Sequence, residues 1–113
     1  MTNRLLALTQ DAHQKKRKLF CTFLTLGYPS LHATKQLILE FEETGVDILE
    51  LGFPFSDPLA DGPTIQFSSE ASLARGTRLE DAFNTVESLR KNGCRIPIIF
   101  FTYLNPIFHY GLK

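Results

Sequence analysis

Glu50 and Asp61 are the residues whose surroundings call for chemistry. Glu50 stands inside the short apolar run Ile48-Leu49-Glu50-Leu51-Gly52. A charge inside an apolar strand is costly unless it is paired or used. Asp61 closes the loop Phe53-Pro54-Phe55-Ser56-Asp57-Pro58-Leu59-Ala60-Asp61, just before Gly62-Pro63, which reads as a helix start. Two carboxylates brought to opposite sides of one substrate can supply an acid and a base without a metal. The plainer alternative makes Glu50 a paired structural acid and Asp61 a helix cap. Residue types alone leave both readings open, because carboxylates in unusual settings mark sites only statistically.

The elements that must hold these residues follow a simple alternation. Residues 2–16 carry Leu5, Leu6 and Leu8 among polar positions and read as a short amphipathic helix. Leu19 to Leu26 is an apolar, β-rich run ended by Gly27-Tyr28-Pro29, with Ser30 placed to cap a helix. Leu31 to Thr44 puts Leu37, Ile38 and Phe41 on one face, and Gly45 stands where a helix terminates. Val46 to Gly52 is the second strand. Pro63 to Arg75 reads as a short helix closed by Gly76. Thr77-Arg78-Leu79-Glu80 has the spacing of a capping box, and Leu79, Ala82, Phe83, Val86 and Leu89 trace the next helical face. Ile96 to Thr102 is the third apolar run. Tyr103-Leu104-Asn105-Pro106 then leads toward a further helix.

A β-α-β-α-β order implies parallel strands joined by right-handed crossovers. Nearly continuous apolar strands are those of a sheet covered on both sides. Pattern alone allows a small flavodoxin-like sheet or the opening of a (β/α)8 barrel. The glycine-rich phosphate loops of nucleotide-binding folds do not occur.

Composition narrows the class. The 113 residues suffice for one small domain with a modest core, and 43% apolar content is that of an ordinary globular chain. Twelve basic and twelve acidic residues give zero formal charge, which argues against a nucleic-acid or membrane-surface role. The one basic cluster, Lys15-Lys16-Arg17-Lys18, reads as the solvated end of a helix. Cys21 and Cys94 lack metal-ligand spacing and do not make a disulfide framework. Cys21, in an apolar run, is expected to be a buried small hydrophobe. No leader-type segment and no run of about 20 apolar residues occurs. A reducing, cytoplasmic setting is expected. His13, His32 and His109 are scattered and read as surface residues.

The stretch Glu50-Leu51-Gly52-Phe53-Pro54-Phe55-Ser56-Asp57-Pro58-Leu59-Ala60-Asp61-Gly62-Pro63-Thr64-Ile65-Gln66 resembles the signature of the tryptophan synthase α subunit. Phe23-Leu24-Thr25-Leu26-Gly27-Tyr28-Pro29 is similar to that family's first strand and turn, although an acid is common where Tyr28 stands. Thr102-Tyr103-Leu104-Asn105-Pro106-Ile107-Phe108 resembles its third strand and loop. The likeness runs from about Phe20 to Gly111 and decides for the barrel. The expected fold is an α/β (β/α)8 TIM barrel, represented by the N-terminal helix and roughly the first three β/α units. Residues 1–113 would then be one partial domain, since such a barrel takes about 250 residues.

The resemblance implies cleavage of indole-3-glycerol phosphate to indole and glyceraldehyde 3-phosphate, a retro-aldol step in L-tryptophan biosynthesis. Glu50 matches the proton shuttle, working as acid and base from the barrel mouth. Asp61 matches the acid that holds the indole N–H. Phe23 matches a ring that packs on the indole, besides serving as a core phenylalanine. Tyr103 matches a residue near the active-site loop or a core tyrosine, and Thr64 a helix cap or loop contact. Pro54, Asp57, Asn105 and Phe108 match positions facing the β subunit of an αββα complex. No metal or cofactor is expected in this subunit; pyridoxal phosphate belongs to the β partner. The phosphate often binds loops after strands 7 and 8 in such barrels, and those loops are not in this sequence. A truncated, inactive form that keeps part of the partner surface is the alternative, and another phosphosugar-handling barrel a third.

Overall fold

The computed structural model describes residues 3–111. The elements run α1 (Arg4–Gln14), β1 (Cys21–Thr25), α2 (Leu31–Thr44), β2 (Ile48–Gly52), α3 (Pro63–Ala74), α4 (Leu79–Lys91), β3 (Ile98–Phe101) and α5 (Leu104–Tyr110). The three strands form one parallel sheet in the order β1-β2-β3. No helix among the described residues is long and apolar enough to cross a membrane.

Side chains alternate across a strand, so β2 divides its residues between two faces. Leu49 and Leu51 are essentially fully buried and join Leu26, Ile38, Ala82 and Leu89 in the core under α2 and α4. Ile48, Glu50 and Gly52 point to the opposite face. Register carries that division across the sheet: Phe23 pairs with Glu50 and Glu50 with Ile99, while Gly52 lies between Thr25 and Phe101. One face is packed under helices, and the other gathers Phe23, Glu50 and Phe101.

Local chemistry explains the helix boundaries. Ser30 accepts a hydrogen bond from Ala33 N–H at 3.0 Å and starts α2. Gly45 ends it at φ 101°, a left-handed conformation that glycine adopts without a Cβ penalty. Pro63 opens α3 at a position where its missing N–H is harmless.

The structure corrects several expectations. Cys21 is exposed, at the first position of β1 on the face opposite the α2–α4 core. The capping box is shifted by one residue. Asp81, and not Glu80, accepts from the N–H of Arg78 at 2.7 Å, while Thr77 turns inward and is buried. β1 and β3 are shorter than their apolar runs. Pro97 has no N–H to add to a ladder, and β3 begins at Ile98.

Asp47 fastens the start of the sheet. Its Oδ2 accepts from Phe20 N–H at 2.8 Å and its Oδ1 from Arg17 Nη1 at 3.0 Å. Its own N–H donates to Phe20 O at 2.9 Å. The clamp joins the segment before β1 to the segment before β2. The Phe20 N–H is the largest cause of a carboxyl pKa held below its usual value; partial burial opposes it and Arg17 adds to it.

A carboxyl with a depressed folded pKa lends stability above its unfolded pKa, and that stability is lost as pH falls through the folded value. Asp47→Asn should therefore lower the melting temperature at neutral pH. The gap to wild type should begin to narrow at about pH 4, the unfolded Asp value, and close as pH falls further through the lower folded value. Parallel melts across that range check this, and a gap independent of pH would remove the carboxylate from the clamp.

Candidate active site

Glu50 lies half-buried at the middle of the central strand, between Phe23 and Ile99 in register. No ion pair among the described residues includes it. The reading of Glu50 as a paired structural acid thus finds no partner here. Its charge is felt by Cys21, whose thiol pKa is pushed up by desolvation and then by the Glu50 carboxylate.

Phe23 sits above Gly52. A Cβ at position 52 would occupy the space taken by the Phe23 ring. The ring meets Phe101 edge to face, with centroids 5.6 Å apart and planes at 85°. A glycine at the end of β2 thus lets one aromatic side chain cross the strand and touch the next.

Asp61 is half-buried in the loop that follows β2. The N-cap of α3 is Gly62 and no side chain caps that helix, so the helix-cap reading of Asp61 is overturned. Phe23, Gly52, Asp61, Ile65, Phe101 and Tyr103 line one cleft at the C-terminal end of the strands. Glu50 is two positions before Gly52 on the same face, at the foot of that cleft.

Tyr103 follows β3 and reaches across to the Asp61 loop. Its hydroxyl oxygen accepts from Ala60 N–H at 2.9 Å, and its ring lies 5.2 Å from that of Phe55. Thr64 is exposed on the first turn of α3 and does not cap it. Asp57 and Asn105 are exposed, as is Phe108, while Pro54 is fully buried. Leu59 and Leu104 add apolar surface nearby, at 84% and 69% exposure. His13, His32 and His109 are all exposed.

Sequence reasoning missed the seam that holds α3. The buried residues of α3 are Ser68, Ser69 and Ser72. The Thr25 and Ser68 hydroxyls share a hydrogen bond of 2.7 Å. Ser72 donates to Leu26 O at 2.6 Å, and its oxygen lies 2.8 Å from Thr77 Oγ1. Gly27, at φ 82°, makes room, since any Cβ there would overlap the hydroxyls of Ser72 and Thr77. The signal was the helical spacing of the three serines, which reads as a solvent face when hydroxyl partners on another element are unknown.

A parallel sheet packed under α2 and α4 on one face, with aromatic rings, Glu50 and the Asp61 loop gathered toward the carboxyl ends of its strands on the other, has the architecture of part of a (β/α) barrel. Residues 9–113 match the family model for the tryptophan synthase alpha chain. The chain is 41% identical over 113 residues to the tryptophan synthase alpha chain of Clostridium acetobutylicum, spanning 100% of this chain and 43% of that one. It is 51% identical over 100 residues to that of Geotalea daltonii, spanning 88% and 38%. The crystal structure of tryptophan synthase subunit alpha from Legionella pneumophila superposes with a TM-score of 0.94 at 37% identity, over 98% of this chain and 42% of that one. The chain belongs to the tryptophan synthase alpha chain family, and it spans about 40% of the length of the curated relatives it matches.

The Phe23–Gly52 contact can be tested directly. Gly52→Ala should destabilise by about 1–3 kcal/mol through overpacking. Phe23→Ala in the same chain should recover much of the loss introduced by the new methyl group. Denaturant melts of the two single variants and the double variant decide it; additive losses would rule out the contact as the cause.

Proposed function

We propose that this segment carries the two catalytic acids of an indole-3-glycerol phosphate lyase. One observation carries the reading: Asp61, Phe23 and Tyr103 line a single cleft, and Glu50 lies at its foot on the same sheet face. In the retro-aldol step the bond between the indole ring carbon and the glycerol side chain breaks. The ring carbon gains a proton and the adjacent glycerol hydroxyl loses one, leaving indole and glyceraldehyde 3-phosphate. Glu50 is the group that moves these protons. An acid among Phe23, Ile99 and the strand backbone has the partly apolar setting that suits both roles. Asp61 accepts the indole N–H and stabilises positive charge that develops on the ring nitrogen. Phe23 supplies a face for the indole to pack on.

The reaction asks for proton transfer and orientation only, so this subunit needs neither metal nor organic cofactor. The exposed Asp57, Asn105 and Phe108, with Leu59 beside them, make a surface suited to a β subunit, the expected holder of pyridoxal phosphate. The working assembly would be a cytoplasmic αββα complex. That same surface supports the alternative of a short form that binds the partner without turnover.

In a complete alpha chain, Glu50→Gln should lower indole formation by about 10²–10⁴-fold, the usual worth of a general acid–base group. The amide keeps the shape and loses the proton, so circular dichroism should not change. Indole release within a few-fold of wild type would remove Glu50 from the mechanism.

The 113-residue chain assayed alone should release indole only at background. The binding energy of a remote phosphate supports the chemical step in enzymes of this kind, and the loops that hold phosphate in such barrels follow later strands. Turnover by this chain would show that its own residues suffice.

A further inference from the structure

The backbone on either side of Asp61 is held by two side chains from different elements. Tyr103, after β3, accepts the N–H of Ala60 at 2.9 Å. Gln66, on α3, donates its side-chain amide to the carbonyl of Asp61 at 2.7 Å. A carbonyl only accepts, so the Gln66 amide nitrogen must face it. Asp61 N–H turns back to Pro58 O at 3.1 Å, which closes the loop on itself. The Phe55 ring, from the same loop, rests 5.2 Å from the Tyr103 ring.

These bonds are not needed to satisfy buried groups. Both are exposed, and water would serve the Ala60 N–H and the Asp61 carbonyl equally well. Their effect is geometric. They fix the Leu59–Ala60 and Asp61–Gly62 peptide groups, one from the end of β3 and one from α3, and Asp61 N–H holds the peptide group between them to Pro58 O. An acid that must meet a substrate N–H works only when held close to its productive position. We propose that Tyr103 and Gln66 are positioning residues for Asp61, a pair that bridges β3 and α3 and sets the direction of its carboxylate. The inference rests on the reading of Asp61 as the acid that accepts the indole N–H.

The test uses a complete alpha chain with Tyr103→Phe and Gln66→Leu, alone and together, each in wild-type and Asp61→Asn backgrounds. Phenylalanine keeps the ring against Phe55 and removes only the hydroxyl; leucine keeps the bulk. Each single variant should lower kcat about three- to tenfold, the worth of one hydrogen bond. KM should stay within about twofold and the melting temperature should not move. With Asp61→Asn present, neither substitution should lower kcat further. Calorimetric titration with indole itself gives the same comparison if turnover falls to background: affinity should weaken in the wild-type background and be unaffected by the substitutions in the Asp61→Asn background.

Wild-type kcat in the double Tyr103→Phe, Gln66→Leu variant, beside a crippled Asp61→Asn, would overturn the positioning role alone. Equal losses in both backgrounds would do the same. Full activity in Asp61→Asn itself would overturn the assigned role of Asp61 and the positioning role with it.

Discussion

Parallel pairing of β2 between β1 and β3 is the constraint on which the site depends. Because side chains alternate, one register sends Leu49 and Leu51 under the helices and Glu50 to the opposite face. A slip of one residue would bury the carboxylate in the core and turn the leucines outward. The apolar demand of the α2 and α4 side therefore fixes where Glu50 points. Asp47 supports the same register from below, since its bonds to Phe20 and Arg17 align the starts of β1 and β2.

The second organising feature is polar. α3 meets β1 through serine and threonine hydroxyls, whereas α2 and α4 meet the sheet through aliphatic side chains. Small hydroxyl residues permit close approach, and the hydroxyls of Thr25, Ser68, Ser72 and Thr77 each have a partner, as burial of a polar group requires. The orientation of α3 matters because Asp61 enters at its start. Phe67, an apolar residue of α3, remains 63% exposed, and its ring meets that of Tyr28 in a T-shaped arrangement. The usual inward-apolar pattern of a surface helix is inverted there.

Both outer strands leave one edge without a strand among the described residues. Phe101 is 51% exposed on β3, and Phe100 meets Phe83, whose ring also contacts Tyr110. Within a closed barrel such edges disappear. The segment therefore holds a local, well-packed helix-on-sheet layer, while its concave face depends on further strands for enclosure. A cleft with acids and rings on one wall is what one side of a barrel mouth provides.

Element order, parallel pairing and the core leucines were legible in the residues, because periodicity, Ser30, Gly45 and Pro63 act locally and agree with one another. The motif from Glu50 to Gln66 also pointed to the family without coordinates. Tertiary structure decided what depends on distant partners. It exposed Cys21, moved the capping role from Glu80 to Asp81, and left α3 without a side-chain cap beside Asp61. It also joined Thr25 to Ser68 and Tyr103 to Ala60 across 43 positions of chain in each case. A hydroxyl reads the same in sequence whether it faces water or another hydroxyl, and only the packing of α3 and β3 against their neighbours settles which.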